Sequence, residues 1–174
     1  MEQVRFRLVR QYFPFTVGPL VIHNERIITW IQVVGRQSFY GPREAVVDTG
    51  APISIFPQKV WERFEVEISW PAVANAPEWC KEFHGAAGGT VPCRVGIVPV
   101  RFLDLPEPED AQGKDTGQSL GPTDIAAMFA YDKHLERDGY KPRQILIGLG
   151  GGPFTGRRLD MVYGVKNGIT LSPV

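Results

Sequence analysis

The residues best equipped for chemistry stand together at Asp48-Thr49-Gly50-Ala51, with Ser54 three positions after the alanine. The run Glu44-Ala45-Val46-Val47 leads straight into them, so the sequence predicts a strand that ends on a carboxylate. A carboxylate that a rigid strand delivers to the edge of a cleft is a general acid or base with a fixed position. Gly50, lacking a side chain, leaves its N–H free to approach a carboxylate oxygen. The competing reading is an ordinary strand-to-turn aspartate whose side chain closes an Asx turn. The tripeptide alone does not separate the two, because Asp115-Thr116-Gly117 repeats it in an acidic, Pro-rich stretch. That copy follows Gln112-Gly113-Lys114 instead of a strand and precedes Gln118-Ser119 instead of Ala-x-x-Ser, and it reads as chance.

Other candidates carry less. Cys80, His84 and Cys93 are three potential zinc ligands, but their spacing fits no common structural site, and no metal is expected. Gly148-Leu149-Gly150-Gly151-Gly152-Pro153 follows an apolar run as a phosphate loop would. It lacks the Gly-Lys-Ser/Thr ending, and Pro153-Phe154-Thr155-Gly156 does not open a helix. His23 and His134 have no evident partners in the sequence.

With its hydrophobic lead-in and its Asp-Thr-Gly-Ala-x-x-Ser order, Ala45 to Ser54 resembles the active-site signature of aspartic proteases. Two later segments extend the likeness to the retroviral-type, or retropepsin-like, branch, in the form of a single-domain cellular member. His84-Gly85-Ala86-Ala87-Gly88-Gly89, between apolar arms, looks like the Gly-rich flap that folds over substrate. Ile145-Leu146-Ile147-Gly148 looks like the second hydrophobic-hydrophobic-Gly strand, which in that family packs beside the catalytic loop. The resemblance spans roughly Arg26 to Leu171.

The resemblance implies an aspartic endopeptidase built as a closed all-β barrel of the acid-protease type, with no cofactor. Asp48, Thr49 and Gly50 would be catalytic, the Thr49 hydroxyl bonding across to a partner loop. Ala51 and the flap residues Gly85, Ala86, Ala87, Gly88 and Gly89 would bind a peptide or protein substrate. Two carboxyls about 3 Å apart share one proton in such an enzyme, and the 174-residue chain carries one credible Asp-Thr-Gly. The second carboxylate is therefore expected from another copy of the chain, through the twofold axis of a homodimer. The alternative is a catalytically inactive dimeric module of the same fold, used for peptide binding or assembly. Two departures stand out: Leu149 to Pro153 follows Gly148 where the family usually has Arg and a short helix, and Leu105 to Arg143 is a long insertion.

The elements that must position these residues are mostly strands. Val4 to Phe13, Arg26 to Val34, Val95 to Phe102, Gln144 to Leu149 and a last stretch at Gly168 to Leu171 are rich in β-branched and aromatic residues. Gly35 to Pro42 reads as a turn, Pro52 to Phe64 as holding a short helix, and Leu105 to Pro122 as a mobile loop. One inserted helix is predicted over 123–138: Thr123 caps it, Ile125, Met128, Phe129 and Leu135 make its apolar stripe, and Gly139 ends it. If Ala86 and Ala87 form a two-residue flap turn, Cys80 faces Cys93, which sets a redox clasp against two free thiols. Ile53, Ile55, Val98 and Leu149 are apolar candidates for substrate pockets, though each, taken singly, reads first as core.

Composition bounds the rest. Lys plus Arg and Asp plus Glu number 19 each, so there is no net charge to attract a nucleic acid or an anionic membrane. No apolar run reaches the about 20 residues that a spanning helix needs. Met1 to Arg7 interleaves charges where a signal peptide would be apolar, and only two cysteines occur, which together point to the cytoplasm. One domain, 1–174, is expected, with 19 Gly and 15 Pro to turn its strands.

Overall fold

The computed structural model describes residues 3–10, 15–17, 19–22, 25–48, 50–71, 81–84, 90–104, 118–131, 144–162 and 168–174. Its strands are β1 (Val4–Arg10), β2 (Phe15–Val17), β3 (Leu20–Ile22), β4 (Glu25–Val34), β5 (Phe39–Asp48), β6 (Ser54–Phe56), β7 (Glu82–His84), β8 (Thr90–Leu103), β9 (Ser119–Ala130), β10 (Ile145–Gly148), β11 (Arg157–Val162) and β12 (Gly168–Pro173). Among the described residues the helical structure is one short α-helix, α1 (Gln58–Trp61), continued by a 3-10 segment over Glu62–Glu67.

Six strands close on themselves in the order β4-β5-β10-β6-β9-β8, with β8 pairing back to β4. This is a barrel, and closure removes the exposed strand edges that would otherwise template association. Two of its pairings are parallel, β5 with β10 and β6 with β9. β10 lies between β5 and β6, parallel to the first and antiparallel to the second. The turn that joins β5 to β6 must therefore cross the end of β10. Outside the barrel, β1 pairs along β4 and then along β12, which pairs with β11.

The barrel interior is apolar, filled by Ile31, Val33, Ala45, Val47, Phe56 and Phe102 among others. Trp61 closes one region of it: its ring is 2% exposed, its indole N–H donates to Ala130 O at 2.9 Å, and it meets Phe129, Trp70 and Tyr131 edge to face. A second cluster, Ile53, Ile55, Val91, Met128 and Ala130, forms separately from the barrel core.

The helix expected over 123–138 is not there: Thr123 to Ala130 belongs to strand β9, hydrogen-bonded to both β8 and β6, and 132–138 falls outside the described residues. The physical reason is burial on both faces. Ile125, Ala127 and Phe129 enter the main core while Met128 and Ala130 enter the second cluster, so two period-two stripes interleave into a continuous apolar run. Picking Ile125, Met128 and Phe129 from that run mimics a helical spacing. The same strand takes Ser119 to Pro122 out of the loop expected over Leu105 to Pro122; 105–117 is outside the described residues. The turn after β4 is tighter than expected, Gly35 N–H donating to Ser38 O at 2.8 Å, and Phe39 to Pro42 already belongs to β5.

Candidate active site

β5 carries Ala45 and Val47 into the barrel core, and strand alternation places Asp48 on the opposite side from them. Asp48 is half-buried, and its Oδ1 accepts the Gly50 N–H at 2.9 Å. That bond is common to both readings of the motif, the Asx turn and the fixed catalytic carboxylate. What sets this aspartate apart is the surface beneath its turn. β10 runs beside β5 in register, Ile145 opposite Ala45, Ile147 opposite Val47 and Gly148 opposite Asp48.

The turn is fastened to β10 from several directions. Ala51 N–H donates to Asp48 O at 3.2 Å, and Ala51 O accepts the Leu149 N–H at 3.1 Å. Ser54, fully buried, accepts the Gly148 N–H on its Oγ at 3.2 Å. The requirement for glycine falls on β10 more than on Gly50. A Cβ on Gly148 would lie 2.6 Å from Ile53 C and O and 2.7 Å from Ala51 O, and one on Gly150 would lie 2.0 Å from Pro52 O. A Cβ on Gly50 would meet only Asp48 Oδ1, at 3.4 Å, an ordinary contact. Close backbone approach, more than turn conformation, demands the glycines here.

The loop after Gly148 is braced against β9. Ala126 N–H donates to Gly151 O at 2.7 Å. Arg157 donates from Nη1 to Pro153 O at 2.7 Å and from Nη2 to Thr123 Oγ1, and its guanidinium lies 5.5 Å from the Phe102 ring centroid. Burial pushes the Arg157 guanidinium down from its ordinary value. Arg157 has no place in the Asp-Thr-Gly-Ala-x-x-Ser motif, and Ser54 stands in it with no partner legible from the sequence. The serine's signal was legible as a polar residue inside the Ile53 to Phe56 apolar run. Of the arginine's partners only Pro153 is near in sequence; Thr123 and Phe102 come from distant segments.

Of the other expected residues, Thr49 lies outside the described residues, as do Gly85, Ala86, Ala87, Gly88 and Gly89. The arms that flank those five are paired, with Phe83 opposite Val91 and His84 opposite Thr90. This register is shifted by one from the expected two-residue turn. Cys93 N–H donates to Lys81 O at 2.6 Å, so the arms bring Lys81, and not Cys80, across from Cys93. The Cys93 Sγ–H donates to Val91 O at 3.4 Å, and Cys80, the other half of the expected clasp, lies outside the described residues. Asp115-Thr116-Gly117 is outside them as well. Of the four pocket candidates, Ile53, Ile55 and Val98 are core, whereas Leu149 is 48% exposed immediately after Gly148. No helix among the described residues is long and apolar enough to cross a membrane.

No protein-family model, curated protein or solved structure matches this chain. The functional reading therefore stands on the geometry of the Asp48 turn.

Proposed function

We propose that the protein is an aspartic endopeptidase of the retropepsin-like type, active as a homodimer in which Asp48 of each protomer faces the other across a twofold axis. The observation that carries this reading is the carboxylate at the end of β5, held by the Gly50 N–H on a turn laid across Gly148. Such a carboxylate loses little freedom when it reacts, because its strand, the Gly50 N–H and the strand paired beside it already hold it. A single such group does not hydrolyse an amide efficiently. Two of them sharing a proton supply both base and acid: the ionised carboxylate takes a proton from water as the oxygen attacks the scissile carbonyl carbon. The protonated one gives its proton to the carbonyl oxygen. Collapse of the tetrahedral diol breaks the C–N bond and sends a proton to the leaving amine.

Leu149, exposed beside this turn, is the apolar residue best sited to meet a substrate side chain. The paired arms β7 and β8 support a hairpin cover over an extended peptide, which would add its backbone as a further strand.

The test is cleavage of a mixed-sequence peptide library across mildly acidic to neutral pH. Asp48→Asn is expected to lower turnover by at least about 10³-fold while leaving the unfolding midpoint unchanged, and wild-type specific activity is expected to fall on dilution. Cleavage that survives Asp48→Asn and is lost in Asp115→Asn would overturn the assignment.

A further inference from the structure

At the other end of β5 from Asp48 the molecule has a cavity. Phe39, Tyr40 and Arg43 of that strand, Val60, Arg63 and Phe64 of the helical segment and the buried side chains of β4, β6 and β10 enclose a cavity of about 330 Å³. That is at the small end of ligand-binding pockets, which suits a molecule of roughly a dozen non-hydrogen atoms. Its base is apolar, made by Phe56, Phe64 and Ile145, each no more than 3% exposed. Its exposed lining carries two guanidiniums, Arg43 and Arg63, and no carboxylate lines it. Neither guanidinium has a hydrogen bond or ion pair among the described residues.

The wall is held in place. Phe39 remains 57% exposed, but the Arg101 guanidinium lies 4.4 Å from its ring centroid, and Arg101 Nε in turn donates to Gln32 Oε1 at 2.7 Å. Tyr40 packs on Phe64, ring centroids 6.0 Å apart. An apolar base with two uncompensated planar cations at its rim selects a ligand that is apolar at one end and anionic at the other. A carboxylate matches a guanidinium fork in shape and charge.

We propose that this cavity is a binding site for a small apolar carboxylate, its hydrocarbon or aryl body on Phe56, Phe64 and Ile145 and its carboxylate between Arg43 and Arg63. The site is separate from the carboxylate of the proposed peptidase. Arg43 and Asp48 are five residues apart on one strand, roughly 17 Å, and the binding inference does not depend on catalysis.

The experiment titrates 4-phenylbutanoate, at neutral pH, into the full 15N-labelled chain and follows amide chemical shifts. Saturable shifts centred on 39–43, 56, 60–64 and 145, with Arg43→Gln/Arg63→Gln weakening binding about tenfold or more, are expected. The uncharged 4-phenylbutan-1-ol should bind about tenfold more weakly than the acid, and Asp48→Asn should bind the acid as the wild type does. Both arginines are exposed, so the double variant is expected to fold, and its own spectrum reports whether it has. Equal affinity for acid and alcohol, shifts centred elsewhere, no saturation by 10 mM, or undiminished binding by a folded double variant would each overturn the proposal.

Discussion

At its C-terminal end, β5 delivers Asp48 into a turn whose contacts are almost entirely backbone: Gly50 N–H, Ala51 N–H and O, Leu149 N–H, and the bare face of Gly148. At its N-terminal end the same strand presents Phe39 to Arg43, and there the cavity is shaped by side chains, with its charges left open to solvent. On the two proposals made above, the difference matches what each end would have to achieve. A carboxylate that must sit in one place is best fixed by groups that have no rotamers to lose. A pocket that must admit a ligand needs polar groups that are not already satisfied by the protein. Substitutions in the frame beneath Asp48, at Gly148 and Ser54, should therefore act on folding, and those of the cavity's arginines on binding alone.

The sharpest challenge to this contrast is Gly148→Ala. Its new Cβ would meet backbone at 2.6 Å on a strand held on both sides, so a loss of about 3 kcal/mol in urea unfolding is expected. Gly50→Ala, at the exposed tip of the turn, should change stability by less than about 1 kcal/mol, because its Cβ meets only Asp48 Oδ1 at 3.4 Å. Equal losses for the two alanines would mean that the turn, and not the crossing over β10, sets the geometry. Next in size is Ser54→Ala, which leaves the buried Gly148 N–H without its acceptor and should cost about 1–2 kcal/mol by the same unfolding measurement. The smallest effect belongs to the other end: Arg43→Gln and Arg63→Gln should each shift the unfolding free energy by less than about 0.5 kcal/mol. A larger change there would show that the arginines hold the fold instead of serving a ligand.

Much of the first end was legible beforehand. The apolar lead-in at Ala45 to Val47 and the Ile145-Leu146-Ile147-Gly148 run both read as strands, and the structure sets them side by side in register. Both faces of those strands are covered or capped, so short β-branched runs between turn residues were signal enough. β9 was misread for a related reason: Ile125 to Ala130 is apolar on both faces, and a continuous run has no period of its own. The register of the β7–β8 arms was not legible because a glycine-rich tip permits more than one turn length, and the pairing of Phe83 with Val91 is fixed by the arms. The cavity left no trace in the sequence, since its walls come from five segments, and Arg43 and Arg63 look like any solvated surface charges until the fold faces them toward one hollow.

The sequence by itself determined the strand-rich character of the chain, the carboxylate at the end of a buried strand and the glycine run that could lie beneath it. These depend on local propensity and on residues a few positions apart. Only the tertiary structure decided that β10 enters between β5 and β6, that Ser54 and Arg157 brace the turn and the loop beyond it, and that two distant arginines share a cavity. Those features depend on which strands close the barrel, a choice made by the summed burial of Ile31, Phe56, Phe102, Phe129 and their neighbours and by no single stretch of chain.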